Sequence, residues 1–140
     1  MRFMMLMYPS EQAEQGVMPE PALVQEMMKY NEELAKAGVL LSLDGLHPSA
    51  KGVRITWNAQ GKPVVTDGPF SEATGILGGY WLLQAKSREE AIEWAKRVPS
   101  RGARKVELRQ IFEMTDFPSE VRNDANVRAT VELIEKQARS

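Results

Sequence analysis

Four strand-like runs, two amphipathic helical segments between them, and two runs that are apolar on both faces predict an α+β, ferredoxin-like sandwich. The order along the chain is strand, helix, strand, inserted β-hairpin, strand, helix, strand, a βαββαβ arrangement with an insertion. In that arrangement both helices cover one face of the sheet. The runs at 2–8 and 77–85 are apolar on both faces, so the second face also needs a cover. In a chain of 140 residues the expected cover is another copy of the same chain. A homodimer with sheets face to face is therefore expected, burying on the order of 2,000 Å² or more.

The first strand is 2–8, with Phe3, Met5 and Met7 on one face and Met4, Leu6 and Tyr8 on the other. Residues 9–19 are polar, contain Gly16 and Pro19, and read as a loop. A helix opens at Pro21, carries Leu23, Met27 and Leu34 at helical spacing, and stops at Gly38. Val39 to His47 reads as the second strand, broken by the segment from Pro48 to Gly52. Val53, Ile55 and Trp57 alternate with Arg54 and Thr56, the pattern of a half-exposed strand. Asn58 to Gly61 reads as a hairpin loop, and Lys62 to Thr66 returns, with Pro63 suggesting an edge.

Leu77 to Ala85 is the next core strand, with Leu77, Trp81 and Leu83 opposite Tyr80 and Leu82. Gly78 and Gly79 leave room there for backbone or ligand. Ser87 and Glu90 form a capping box for a second helix that carries Ala91, Ile92, Ala95 and Val98 and ends at Pro99. Residues 103–114 read as the last strand, with Val106, Leu108, Phe112 and Met114 on one face. After a break at 116–119, residues 124–138 read as an amphipathic helix on Val127, Val131 and Ile134. The expected division is a domain over 1–116 and a C-terminal helical extension over 117–140.

Composition narrows the function. The net charge of −1 argues against nucleic acid and anionic membranes as partners. No apolar run reaches the ~18 residues of a membrane span, and the Met-rich start lacks a signal-peptide cleavage pattern. The absence of cysteine excludes disulfides and thiolate chemistry and fits a cytoplasmic location. One histidine and no regular carboxylate spacing argue against a metal site. Gly75, Gly78 and Gly79 do not form a nucleotide-binding fingerprint, and no cofactor is expected.

The stretch Asp67-Gly68-Pro69-Phe70 is the most informative in the chain. Gly permits positive φ, Pro sets φ, and Asp can bond backbone two residues on, so a rigid turn is expected there. The sequence around it resembles the DGPF proteins, a branch of the YCII-related family. The resemblance covers roughly residues 2–114. It runs through the Met-rich first strand ending in Tyr8, Ala37-Gly38-Val39-Leu40, Asp44-Gly45-Leu46, the segment from Val65 to Phe70, Leu77-Gly78-Gly79-Tyr80, and Glu93-Trp94-Ala95. It implies a dimeric ferredoxin-like fold, described as a dimeric α–β barrel. It also implies a regulatory or stress setting, since some members sit genetically beside extracytoplasmic-function sigma factors. The wider family suggests enzymes with a His in the first helix and an Asp before the Pro that ends the second. Here those places hold Met27 and Val98, so that chemistry is not carried over.

Candidate chemistry gathers near the second strand's end. His47 with Asp67 or Asp44 can form a general-base pair, or can be an exposed turn residue. Asp67 can be that acid, or simply the Asx residue of its turn. A ligand pocket is expected beside residues 67–72, walled by Tyr8 and Tyr80, with Gly68, Pro69, Phe70 and Glu72 at its rim and His47 within reach. Trp57 and Trp81 can join it or pack elsewhere, and Arg54 and Arg109 can bind an acid group or make surface ion pairs. Three readings stay open. One is a small-molecule binding or regulatory protein. The second is a small lyase, isomerase or hydrolase using His47 and Asp67. The third is an interaction module with a sigma-factor-linked partner.

Overall fold

The computed structural model describes residues 1–71 and 75–140. It divides into two compact units, Met1–Gln110 and Ile111–Ser140. The expected Glu72 site residue lies outside the described residues.

The first unit holds β1 (Arg2–Tyr8), α1 (Glu11–Glu14), α2 (Pro21–Lys36), β2 (Leu40–Gly45), β3 (Val53–Trp57), β4 (Pro63–Asp67), β5 (Gly79–Gln84), α3 (Arg88–Lys96) and β6 (Lys105–Gln110). Four strands form one sheet in the order β2-β5-β1-β6, and every pairing is antiparallel. With β3 and β4 set aside as the insertion, this is the ferredoxin-like order expected from the sequence.

Parity along the strands decides which face meets the helices. Met5, Trp81 and Leu83 are buried with Tyr30, Leu34 and Val39, while Met27, Trp94, Val98, Val106 and Leu108 pack against that cluster. Tyr30 and Trp81 meet edge to face with ring centroids 5.8 Å apart. Their polar ends are satisfied: the Tyr30 hydroxyl donates to the Trp94 carbonyl at 2.7 Å, and the Trp81 indole N–H donates to Asn31 Oδ1 at 2.8 Å. A second buried group joins Phe3, Ala85 and Ala91. The opposite face carries Met4, Leu6, Tyr80 and Leu82, which are only half-buried.

Local signals set the element ends. Pro21 starts α2, and Gly38 adopts φ +72° just past its end. Ser87 caps α3 by accepting from the Glu90 amide at 3.1 Å. The Glu90 carboxylate bonds the Lys86 amide, one residue before the cap, at 2.8 Å.

The structure differs from the sequence reading in several places. Residues 11–14 form a short helix capped by Ser10 rather than loop. Leu77 lies ahead of β5 and is exposed. The last strand ends at Gln110, so Phe112 and Met114 do not continue its apolar face; Phe112 is 73% exposed. Periodicity suggested a longer strand because these residues happen to keep its parity. The inserted hairpin is a separate two-stranded sheet, and all its residues except Arg54 are exposed.

The second unit contains α4 (Ser119–Arg122) and α5 (Ala125–Arg139). Asp124 caps α5 by accepting from the Asn126 and Val127 amides. Phe112 and Phe117 pack with centroids 5.3 Å apart. Among the described residues, no helix is long and apolar enough to cross a membrane.

Candidate functional site

The ends of β1 and β2 and the starts of β5 and β6 share one end of the sheet, since Met7 faces Gly79, Gly45 faces Gly79, and Tyr8 faces Lys105. A cleft of about 270 Å³ opens there, lined by Tyr8, Pro9, Glu14, Gly75, Ile76, Arg104 and Lys105. Lys105 sets its ammonium 4.4 Å from the centre of the Tyr8 ring, a cation–π contact. The Tyr8 hydroxyl donates to Glu107 Oε1 at 3.3 Å. Partial burial, then the Glu107 carboxylate, raises the Tyr8 phenol above its ordinary pKa.

A second, smaller cleft of about 70 Å³ shares Pro9 and Glu14 with the first. Leu46, His47, Pro48, Leu77 and Gly78 line it. The second strand ends at Gly45 rather than at His47 as expected; His47 lies two residues beyond it, at the wall of the smaller cleft, and is itself exposed. Among the described residues, no hydrogen bond or ion pair joins it to Asp67 or Asp44. The structure does not bring the His47–Asp67 pair together.

Asp67, Gly68, Pro69 and Phe70 line neither cleft. They fasten the base of the hairpin instead. The Gly68 amide donates to the Gly52 carbonyl at 2.9 Å, and the Phe70 amide donates to Ser49 Oγ at 2.9 Å. Ser49 in turn gives its hydroxyl to Glu14 Oε2 at 2.6 Å and its amide to Oε1 at 2.7 Å. Arg54 lies over the Phe70 ring at 4.0 Å. The Asp67 carboxylate is exposed, and among the described residues no hydrogen bond or ion pair from it holds the turn, so the expected Asx bond is not seen there. Gly68 does not adopt positive φ either; the Gly68–Pro69 bond is cis. What Gly68 supplies is space, because a Cβ there would collide with the Ser49 carbonyl.

Gly78 and Gly79 serve close approach in the same way. A Cβ on Gly78 would stand 2.9 Å from Pro9 Cβ, and one on Gly79 would stand 2.8 Å from the Asp44 carbonyl oxygen. The neighbours that use this room are protein atoms. Tyr80 does not wall the cleft: its hydroxyl donates to Asp44 Oδ2 at 2.7 Å on the open sheet face, and this bond raises its pKa. Trp81 is core and Trp57 is exposed. Arg109 pairs with Glu107 at 3.1 Å. Met27 and Val98, at the places where the wider family suggests a His–Asp pair, pack against the core.

Sequence reasoning missed Glu14, Ser49, Arg104 and Lys105. Glu14 and Ser49 sit 35 residues apart and meet only through the fold. The one signal for Glu14 was Ser10, an N-cap before an acidic turn. Among the described residues, no group of His, Asp and Glu is placed to hold a metal ion.

Comparison with known proteins places the chain. The profile of the YCII-related domain matches residues 1–115. The uncharacterized protein R00369 of Rhizobium meliloti (strain 1021) is 30% identical over 114 residues, covering 79% of this chain and 86% of that protein. Among solved structures, 5-chloro-2-hydroxyhydroquinone dehydrochlorinase (TftG) from Burkholderia phenoliruptrix AC1100, in complex with 2,5-dihydroxybenzoquinone, aligns with a TM-score of 0.47 at 12% identity. That alignment covers 84% of this chain and 100% of the other. With a family profile spanning the whole of β1 to β6, the chain belongs to the YCII-related domain family.

Proposed function

We propose that the protein binds a small organic acid in the cleft beside Tyr8, and that it works as a homodimer joined through the open sheet face. The observation that carries the binding reading is the convergence of Arg104, Lys105 and Tyr8 on one cleft of about 270 Å³. That size is near the lower end of ligand pockets, about 300 Å³, and suits a small metabolite. Glu14 also lines the cleft, but both its oxygens accept from Ser49. Cations with a phenol and a proline ring favour an anion attached to a flat or apolar body. The dimer reading rests on Met4, Leu6 and Leu82, apolar residues on the face opposite the helices.

Binding is favoured over catalysis because His47 and Asp67 are not joined and the helix positions carry Met27 and Val98. The sensing or regulatory role implied by the family setting fits a protein that binds without turnover. The test is calorimetry with a panel of small carboxylates, aromatic and aliphatic. A member of the panel is expected to bind, and Lys105→Ala should weaken it at least about tenfold through loss of a charge-assisted contact. If no acid binds, or if Lys105→Ala binds as well as the parent, the cleft is not the site. Turnover of a bound acid that is lost in His47→Ala would instead favour the enzyme.

A further inference from the structure

The two clefts at the end of the sheet adjoin, because Pro9 and Glu14 line both. Their chemistry differs. The larger, about 270 Å³, carries Arg104, Lys105 and the Tyr8 phenol. The smaller, about 70 Å³, is mostly apolar, and its polar side chains are those of Glu14 and His47. Among the described residues no lysine or arginine lines it. Topology sets Lys105 and His47 far apart within this pair. Lys105 opens β6 and His47 follows β2, and these are the two outer strands of the sheet. Three interstrand spacings of about 4.8 Å put those strands about 14 Å apart.

His47 is held in place without being buried. On one side of it the Leu46 amide donates to the Gly78 carbonyl at 2.9 Å. On the other, Ser49 gives its amide and its hydroxyl to Glu14. Gly78 and Glu14 both line the smaller cleft, so the segment is tied to the cleft at both ends. Pro48 between them fixes one more backbone angle. Among the described residues the imidazole itself makes no hydrogen bond or ion pair. A polar group on a fixed backbone, at a cleft wall and without a protein partner, is preorganised to receive a ligand atom.

We infer that the two clefts form one bipartite site for an acid that carries a hydroxyl at the end away from its carboxylate. The carboxylate lies with Lys105, the body crosses Pro9, and the hydroxyl bonds the His47 imidazole. This rests on the acid-binding reading above and defines its ligand more closely. The second group is a hydroxyl rather than another carboxylate. A carboxylate in the smaller cleft would meet the charge of Glu14 with no cation there to offset it. The group is also small, since about 70 Å³ is the room of two waters at about 30 Å³ each. An imidazole suits a hydroxyl, because its neutral form has one donor and one acceptor nitrogen.

Calorimetry on the full chain tests this with benzoate, 4-hydroxybenzoate and 2-hydroxybenzoate, and with hexanoate and 6-hydroxyhexanoate as an aliphatic pair. In at least one series the end-hydroxylated acid should bind about fivefold tighter or more than the same acid without the hydroxyl, the net worth of one hydrogen bond. 2-Hydroxybenzoate, whose hydroxyl sits beside the carboxylate, should show no such gain. His47→Ala should erase the gain, whereas Lys105→Ala should weaken both members of the pair. Circular dichroism checks that each variant is folded. Binding with no gain from the end hydroxyl in either series overturns the bipartite site and leaves the acid-binding reading standing. A gain that survives His47→Ala, or an equal gain from 2-hydroxybenzoate, overturns it in the same way. If none of these acids binds, both readings fall.

Discussion

Gly68 and Ser49 touch so closely that glycine is the one residue the turn accepts: a Cβ on Gly68 would lie on the Ser49 carbonyl oxygen. The same Ser49 accepts the Phe70 amide and is itself gripped by Glu14. The signature turn is therefore a fastening between the hairpin, the segment after β2 and the short helix α1. It stands two hydrogen bonds behind the cleft wall, through Ser49 and then Glu14.

Gly68→Ala should destabilise the protein by about 1–3 kcal/mol, the usual cost of forcing an atom into packed structure. Urea unfolding measures it. A Gly68→Ala protein as stable as the parent would mean that the 49–52 segment yields easily.

Ser49→Ala should cost about 1–3 kcal/mol, because it strips a partner from both the Phe70 amide and the Glu14 carboxylate. Asp67→Ala should stay within about 0.5 kcal/mol of the parent, since its side chain is exposed and makes no hydrogen bond or ion pair among the described residues. Equal losses in the two variants would return the turn's stability to Asp67.

Asn31→Ala leaves the buried Trp81 indole N–H without its acceptor. The expected loss is about 1–3 kcal/mol. Asn31→Asp keeps an acceptor and should recover most of it at neutral pH. A neutral Asn31→Ala would show that water replaces the amide.

Tyr30 gives the stability curve an alkaline limb. Burial pushes its pKa up, because the phenolate would be stranded in the core. A folded pKa above the unfolded value makes the contribution complete below about pH 10, the ordinary tyrosine value. It is then lost as pH rises from there through the folded pKa. Tyr8 and Tyr80 shift the same way but lie in solvent-rich positions, so their share is smaller. Urea midpoints across the alkaline range should fall for the parent and fall less for Tyr30→Phe. Parallel curves would remove Tyr30 as the cause.

The order of the core strands and helices was legible in the sequence because it rests on local rules. Period-two and period-3.6 apolar spacing, Pro21, Gly38 and the Ser87 cap act within a few residues of themselves. The doubly apolar 2–8 run led to the expectation of a second face covered by another copy; Met4 and Leu6 lie half-buried on that face. The family could be read from the turn, yet the turn's work could not. Asp67 looked like its anchor because Asx bonding is a local rule, whereas the actual anchor, Ser49 with Glu14, joins residues far apart in sequence. The same holds for the cleft: Tyr8, Glu14, Arg104 and Lys105 converge only because β1 and β6 pair. Alternation in the hairpin promised a buried face, but alternation shows only that one face is apolar. The tertiary structure decided that the chain itself leaves this face uncovered, since burial depends on what the rest of the fold brings near.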